Sequence, residues 1–159
     1  MAPKPVLGSK KGRLKQTAAP AGNELVLPQV HFFVRIAEGP LTLSPYQNII
    51  FKKAQINKGQ GYDVASGKFT VSVPGLYAFA VQYCVQANQA GYIDIVKQGT
   101  ILQRSLSEKG GAGNQCVSMQ AFTKAAISDQ IWVRSAAFNS YLYDNSYLFT
   151  SFSGVLIHV

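Results

Sequence analysis

Acidic residues are scarce in this chain: seven Asp and Glu stand against 15 Lys and Arg in 159 residues, and only 14% of positions are charged at all. Past the first 28 residues the acids are Glu38, Asp63, Asp94, Glu108, Asp129 and Asp144, each standing alone, so paired-carboxylate catalysis has no local support. Histidine is equally sparse. His31 sits in an apolar run and His158 next to Val159, and neither has a Ser or Cys nucleophile motif beside it. Cys84 and Cys116 are the only cysteines, too few for a disulfide scaffold and too widely spaced for a metal or redox pair. They can bridge in an oxidising compartment or stay as buried thiols, and the sequence does not choose.

Other absences narrow the class further. No apolar run of the roughly 18 residues that a membrane span requires occurs, and the opening MAPKPVLGSKKGRLKQ lacks the apolar core of a secretory signal. The net charge of +8 invites a nucleic-acid reading, yet no helix-turn-helix pattern, zinc-ligand spacing or ribonucleoprotein aromatic motif accompanies it, so nucleic acid is not an expected partner. The KGGAGN segment at 109–114 is no phosphate cradle, because the Gly-Lys-Ser/Thr ending and a following helix are both missing. There is no Asn-X-Ser/Thr acceptor, no collagen-like repeat and no heptad.

Apolar alternation is what the chain does have. Residues 1–28 carry Lys4, Lys10, Lys11, Arg13 and Lys15 against Glu24, are rich in Ala, Pro and Gly, and read as a flexible basic extension. The folded domain is expected over 29–159. Within it, apolar segments alternate with turn formers such as Gly39-Pro40 and the NKGQG run at 57–61. The clearest strand is 76–86, with Tyr77, Phe79, Val81, Tyr83 and Val85 on one face and Ala78, Ala80, Gln82, Cys84 and Gln86 on the other. Phe69, Val71 and Val73 alternate in the same way, and Pro74-Gly75 marks a bend. Further strands are expected near 30–36, 48–56, 91–97, 101–107, 115–125, 130–138 and 147–158. With no helical period between them, about ten antiparallel strands in two packed sheets are the expected all-β architecture. Trp132 follows both cysteines, which breaks the Cys, Trp, Cys order of an immunoglobulin domain.

Phe51, Asn57, Tyr62, Phe69, Gly75, Tyr77 and Phe79 stand at the spacings of the complement C1q globular head, and the chain resembles that family. HFFVR at 31–35 is similar to its first strand, DQIWV at 129–133 to its penultimate strand and FSGVLI at 152–157 to its closing strand. Val81 and Ser128 depart from the usual aromatic and Gly without threatening a sandwich core. The resemblance implies a jelly roll of the C1q and tumour-necrosis-factor type. In it the matched aromatics fill the core, Gly75 meets a backbone requirement and Asn57 forms a turn. It further implies a compact homotrimer and a secreted, extracellular setting. Phe122, Tyr147, Phe149 and Phe152 are then surplus aromatics, with Phe122, Phe149 and Phe152 assigned to the trimer interface.

Function has to come from surfaces the motif does not occupy. The segment 138–147, expected to connect the last two strands, offers Tyr141, Tyr143 and Tyr147 as flat faces and Asp144 and Asn145 as directional partners. That mixture suits a carbohydrate or a protein partner. The leading expectation is a non-enzymatic, lectin-like pattern-recognition protein of innate immunity that binds glycans or microbial surfaces through three equivalent sites. The alternative is a cytokine-like or complement-like ligand for a receptor protein. On charge alone, Lys97, Arg104, Lys109 and Arg134 would favour anionic sugars or lipopolysaccharide. No cofactor is expected. Calcium is the one metal the resemblance allows, with Asp94 and Asp144 qualifying only if the fold brings them to the trimer apex.

Overall fold

A computed structural model describes residues 2–3, 28–108 and 113–159. The expected basic extension over 1–28 lies almost wholly outside these residues, as does most of the 109–114 loop. The described chain forms twelve antiparallel strands and no helix. They are β1 (His31–Arg35), β2 (Gly39–Leu43), β3 (Lys53–Lys58), β4 (Tyr62–Asp63), β5 (Lys68–Thr70), β6 (Gly75–Val85), β7 (Gly91–Lys97), β8 (Thr100–Ser107), β9 (Gln115–Ala125), β10 (Gln130–Ser135), β11 (Ser140–Asp144) and β12 (Ser151–His158). The larger sheet runs β2-β11-β6-β12-β1-β3 with β9 also on β6, and the smaller runs β4-β5-β10-β7-β8.

The long β6 organises the larger sheet. One edge pairs with β9 from Gly75↔Ala125 to Val85↔Gln115. The other pairs first with β12, from Leu76 to Gln82, and then with β11 at Cys84 and Val85. Alternation explains its inward face: Tyr77, Phe79, Val81, Tyr83 and Val85 are all buried between the sheets. Each such side chain contributes about 1.5–3 kcal/mol on burial before conformational entropy is charged.

One part of the core between the sheets is a cluster of aromatic rings. Phe32 of β1 stacks on Phe69 of β5 at 4.8 Å and meets Phe152 of β12 edge-on at 4.9 Å. Tyr62 stacks on Phe32 from the far side of the same cluster. Gly154 lies opposite both Phe32 and Phe79 in the ladder, and a Cβ there would come within 2.5 Å of the Phe32 ring and 2.7 Å of the Phe79 ring. Only a residue without a side chain lets both rings close over it.

Polar groups pin the margins. The Tyr62 hydroxyl donates to the Phe51 carbonyl and accepts from the Phe51 N–H, both at 2.9 Å, so the motif's first two aromatics are tied through backbone as well as packing. Asn57 does more than turn the chain: its amide accepts from the Tyr62 N–H and donates to the Tyr62 carbonyl, acting as a strand partner where main-chain pairing has ended. Burial pushes the Tyr62, Tyr77 and Tyr83 phenols above the usual tyrosine range.

Three strands escaped the sequence reading. β2 starts at Gly39-Pro40, a pair that reads as a turn, and β4 has two residues. The third, β11, occupies the middle of the segment expected to be a connecting loop. Its Ser140, Leu142 and Asp144 face inward and are buried, and the ladder to β2 overrides the low strand propensity of Ser and Asp.

Candidate functional site

The larger sheet turns a second face away from the core, and residues paired across its strands share that face. One row runs His31, Val155, Ala78 and Phe122, and the next runs Phe33, Ser153, Ala80 and Gln120. Along the middle the side chains are small, so the surface dips there. A cavity of about 340 Å3 lies over Ala80, Gln82, Ser118, Gln120, Ser151 and Ser153. On the flanking strands β9 and β3 the side chains are apolar: Phe122 is 61% exposed and Ile56 is also well exposed, with Val155 exposed on β12 between them. Among the expected interface residues, Phe122 is therefore a true surface aromatic. Phe149 is partly exposed at 39%, with the Arg35 guanidinium 3.5 Å from its ring centroid. Phe152 is corrected. It is fully buried and packs against Phe32, Phe51 and Phe79 in the monomer's own core, so it is not available to a neighbour.

The aromatic segment at 138–147 is divided by its strand. Tyr141 and Tyr143 are half-buried and lie in register with Gln86 and Cys84, which puts them on the outward face of the larger sheet. Asp144 points the other way and is fully buried, accepting from Arg35 Nη2 at 3.1 Å and from the Thr150 N–H at 2.8 Å. Its assignment as a ligand-binding residue is corrected, because both carboxylate oxygens are committed inside the fold. Asn145 accepts from the N–H groups of Tyr147 and Leu148 and so shapes the turn, leaving Tyr147 projecting with 89% of its surface exposed.

The two carboxylates considered for calcium stand on different sheets, Asp144 on β11 and Asp94 on β7, and each already faces arginine. Among the described residues there is no group of three or more His, Cys, Asp or Glu side chains able to hold a metal ion. Cys84 and Cys116, opposed in the β6–β9 ladder, are joined as a disulfide.

The smaller sheet's outward face carries features that the sequence reading named only in part. Arg134, Asp94 and Arg104 form one row across β10, β7 and β8. Asp94 is fully buried and receives Arg104 Nε at 2.6 Å, Arg104 Nη2 at 2.9 Å and Arg134 Nε at 3.3 Å. Hydrogen bonding to Asp94 raises the Arg104 guanidinium above its ordinary range. Beside this row stand Tyr92 and Phe138, with ring centroids 5.0 Å apart, and Tyr46, whose ring lies 5.3 Å from the Arg134 guanidinium. Arg104 and Arg134 had been noted for charge alone. Tyr46 and Tyr92 carry no local signal in the sequence, and Phe138 entered it only as the first residue of the 138–147 segment; Tyr46 lies in a turn and Phe138 in a bend, and the tertiary fold brings both to this face.

Two packed antiparallel sheets with this strand order, and exposed aromatic and basic faces, define a β-sandwich of the C1q and tumour-necrosis-factor jelly-roll class. The chain belongs to the C1q domain family, whose model matches residues 31–157. Complement C1q tumor necrosis factor-related protein 5 of Homo sapiens is 31% identical over 68% of this chain and 45% of its own length. The collagen alpha-1(X) chain of Mus musculus is 29% identical over 71% of this chain, which spans 16% of that relative. The chain thus covers less than half of the curated relatives it matches here. Among solved structures, the globular domain of zebrafish complement 1qA protein superposes with a TM-score of 0.65 at 18% identity, over 81% of this chain and 98% of that one. Eiger TNF from S. frugiperda superposes equally well, with a TM-score of 0.65 at 11% identity over 82% and 94% of the two chains. Both likenesses speak for the fold. Among the described residues no helix is long and apolar enough to cross a membrane.

Proposed function

We propose that this domain is a non-catalytic recognition module that assembles as a homotrimer and binds glycans of microbial or host surfaces in innate immunity. The observation that carries it is the outward face of the larger sheet. Ala78, Ala80, Ser151 and Ser153 give it a shallow floor of small side chains, while Ile56 and Phe122 leave exposed apolar area that a monomer has no reason to display. A second and third copy packed there would bury it and set three identical surfaces side by side, turning weak single-site contacts into avid attachment. The exposed Tyr147, with Asn145 in its turn and Tyr141 and Tyr143 on the adjoining face, supplies rings for sugar stacking at one pole. The Cys84–Cys116 disulfide supports a secreted, extracellular setting, where such bonds persist.

Sedimentation velocity at micromolar concentration tests the assembly, and a glycan array with bacterial-surface pull-down tests the ligand. The expected result is a threefold particle that retains glycans. A stable monomer removes the assembly. A trimer blank on every glycan that captures one receptor protein transfers the function to the cytokine-like reading, which the TNF-like neighbours also fit.

A further inference from the structure

The smaller sheet's outward face has no part in that assembly. Two guanidinium groups converge there on one carboxylate, so the row Arg134, Asp94, Arg104 keeps one unbalanced positive charge. Asp94 is fully buried and holds Arg104 through Nε and Nη2 and Arg134 through Nε, which leaves Nη1 of Arg104 and both terminal nitrogens of Arg134 unused by it. Among the described residues, no hydrogen-bond acceptor meets Nη1 of Arg104 or either terminal nitrogen of Arg134. Arg104 is 51% exposed, ready to use its remaining donors.

Next to this charge stand Tyr92 and Leu106, one step along β7 and β8, and Phe138, in the bend after β10, whose ring packs on Tyr92. Residues two apart on a strand are separated by about 6.5 Å. That is the reach of a pyranose ring lying on an aromatic side chain while its exocyclic carboxylate hydrogen-bonds a guanidinium at the next row. β8 ends its sheet, but the arginines and rings project from the face of the paired strands β10, β7 and β8, not along that edge, where a peptide backbone would have to add as a further strand. The exposed apolar side chains are also split by the ionic row, which a broad protein interface would have to desolvate.

We propose that this face is a binding site for acidic saccharides of the uronate type, with Arg104 and Arg134 taking the carboxylate and the Tyr92–Phe138 pair taking the ring. The site deepens the glycan reading and rests on it. It is separate from the tyrosine pole, and each copy in an assembly carries its own.

Calorimetry on the assembled protein with an α-1,4-linked galacturonate trimer tests the site, with the methyl ester of the same trimer as the uncharged probe. The acid is expected to bind about tenfold or more tightly than the ester, because charge-assisted bonds to guanidinium are lost on esterification. Arg104→Gln and Phe138→Ser are each expected to weaken the acid by about tenfold. Ile127→Ser, in an exposed turn outside the site, is expected to leave binding unchanged. Phe138 is 62% exposed, so its variant stays informative even if Arg104→Gln folds poorly. Equal affinity for acid and ester, or full affinity in both variants, overturns the site while the glycan reading stands. No binding of this trimer or of any arrayed glycan removes both.

Discussion

Cys84 of β6 and Cys116 of β9 face one another directly across the ladder, with Cα atoms 3.9 Å apart and a disulfide between them. The bond closes a loop of 32 residues that contains β7 and β8 of the smaller sheet, and so staples β6 to its neighbour β9 within the larger sheet. On the chain-entropy account, a loop of that size is worth about 3–4 kcal/mol. The double variant Cys84→Ala with Cys116→Ala is expected to lower the urea midpoint by a corresponding amount while keeping the β-sheet circular dichroism. An unchanged midpoint would mean that the bond adds nothing to the folded state.

Tyr62→Phe is expected to cost about 1–3 kcal/mol at neutral pH, because the Phe51 N–H and carbonyl lose their shared partner in a buried setting. Its pH behaviour should also change. The Tyr62, Tyr77 and Tyr83 phenols hold their protons more tightly folded than unfolded, so their contribution is complete below about pH 10 and is withdrawn as pH rises beyond it. Wild-type stability should therefore fall on the alkaline side, and the Tyr62→Phe slope there should be shallower. Chemical denaturation from pH 8 to 12 measures both.

Gly154→Ala is expected to destabilise by about 1–3 kcal/mol, since the added methyl overpacks the contact between the Phe32 and Phe79 rings. Thermal melts check this. Neutrality would show that the two rings can part without penalty.

Ala80→Arg places a charged, long side chain in the centre of the larger sheet's outward face, where Ala80 now lies exposed. On the proposed assembly, it should turn the trimer into a monomer with a near-normal melting profile and reduce multivalent surface binding by about a hundredfold. Retention of the threefold particle would place the contact elsewhere.

The inward half of this fold was legible because its signal is local. The alternation from Tyr77 to Val85 shows which face is buried, and all five of those residues are. The outward half was not, because it is made of rows. Asp94 meets Arg134 from 40 residues away, and no periodicity within either strand announces the meeting. Phe152 was misassigned for a related reason. Its inward neighbour along β12 is Gly154, so the strand shows a gap where a second apolar residue would have marked the core. Asp144 looked like a surface acid because its partner Arg35 lies 109 residues earlier, on β1.

β1 and β12 run side by side, with His31 opposite Val155 and Arg35 opposite Ser151. Chain entering β1 therefore passes next to the end of β12, at the margin farthest from the turn that carries Tyr147. A carrier, label or fusion partner joined ahead of His31 or behind Val159 would hang from that one margin. The opposite crown would be left clear, which suits the domain to being held at its base while its far end meets a surface.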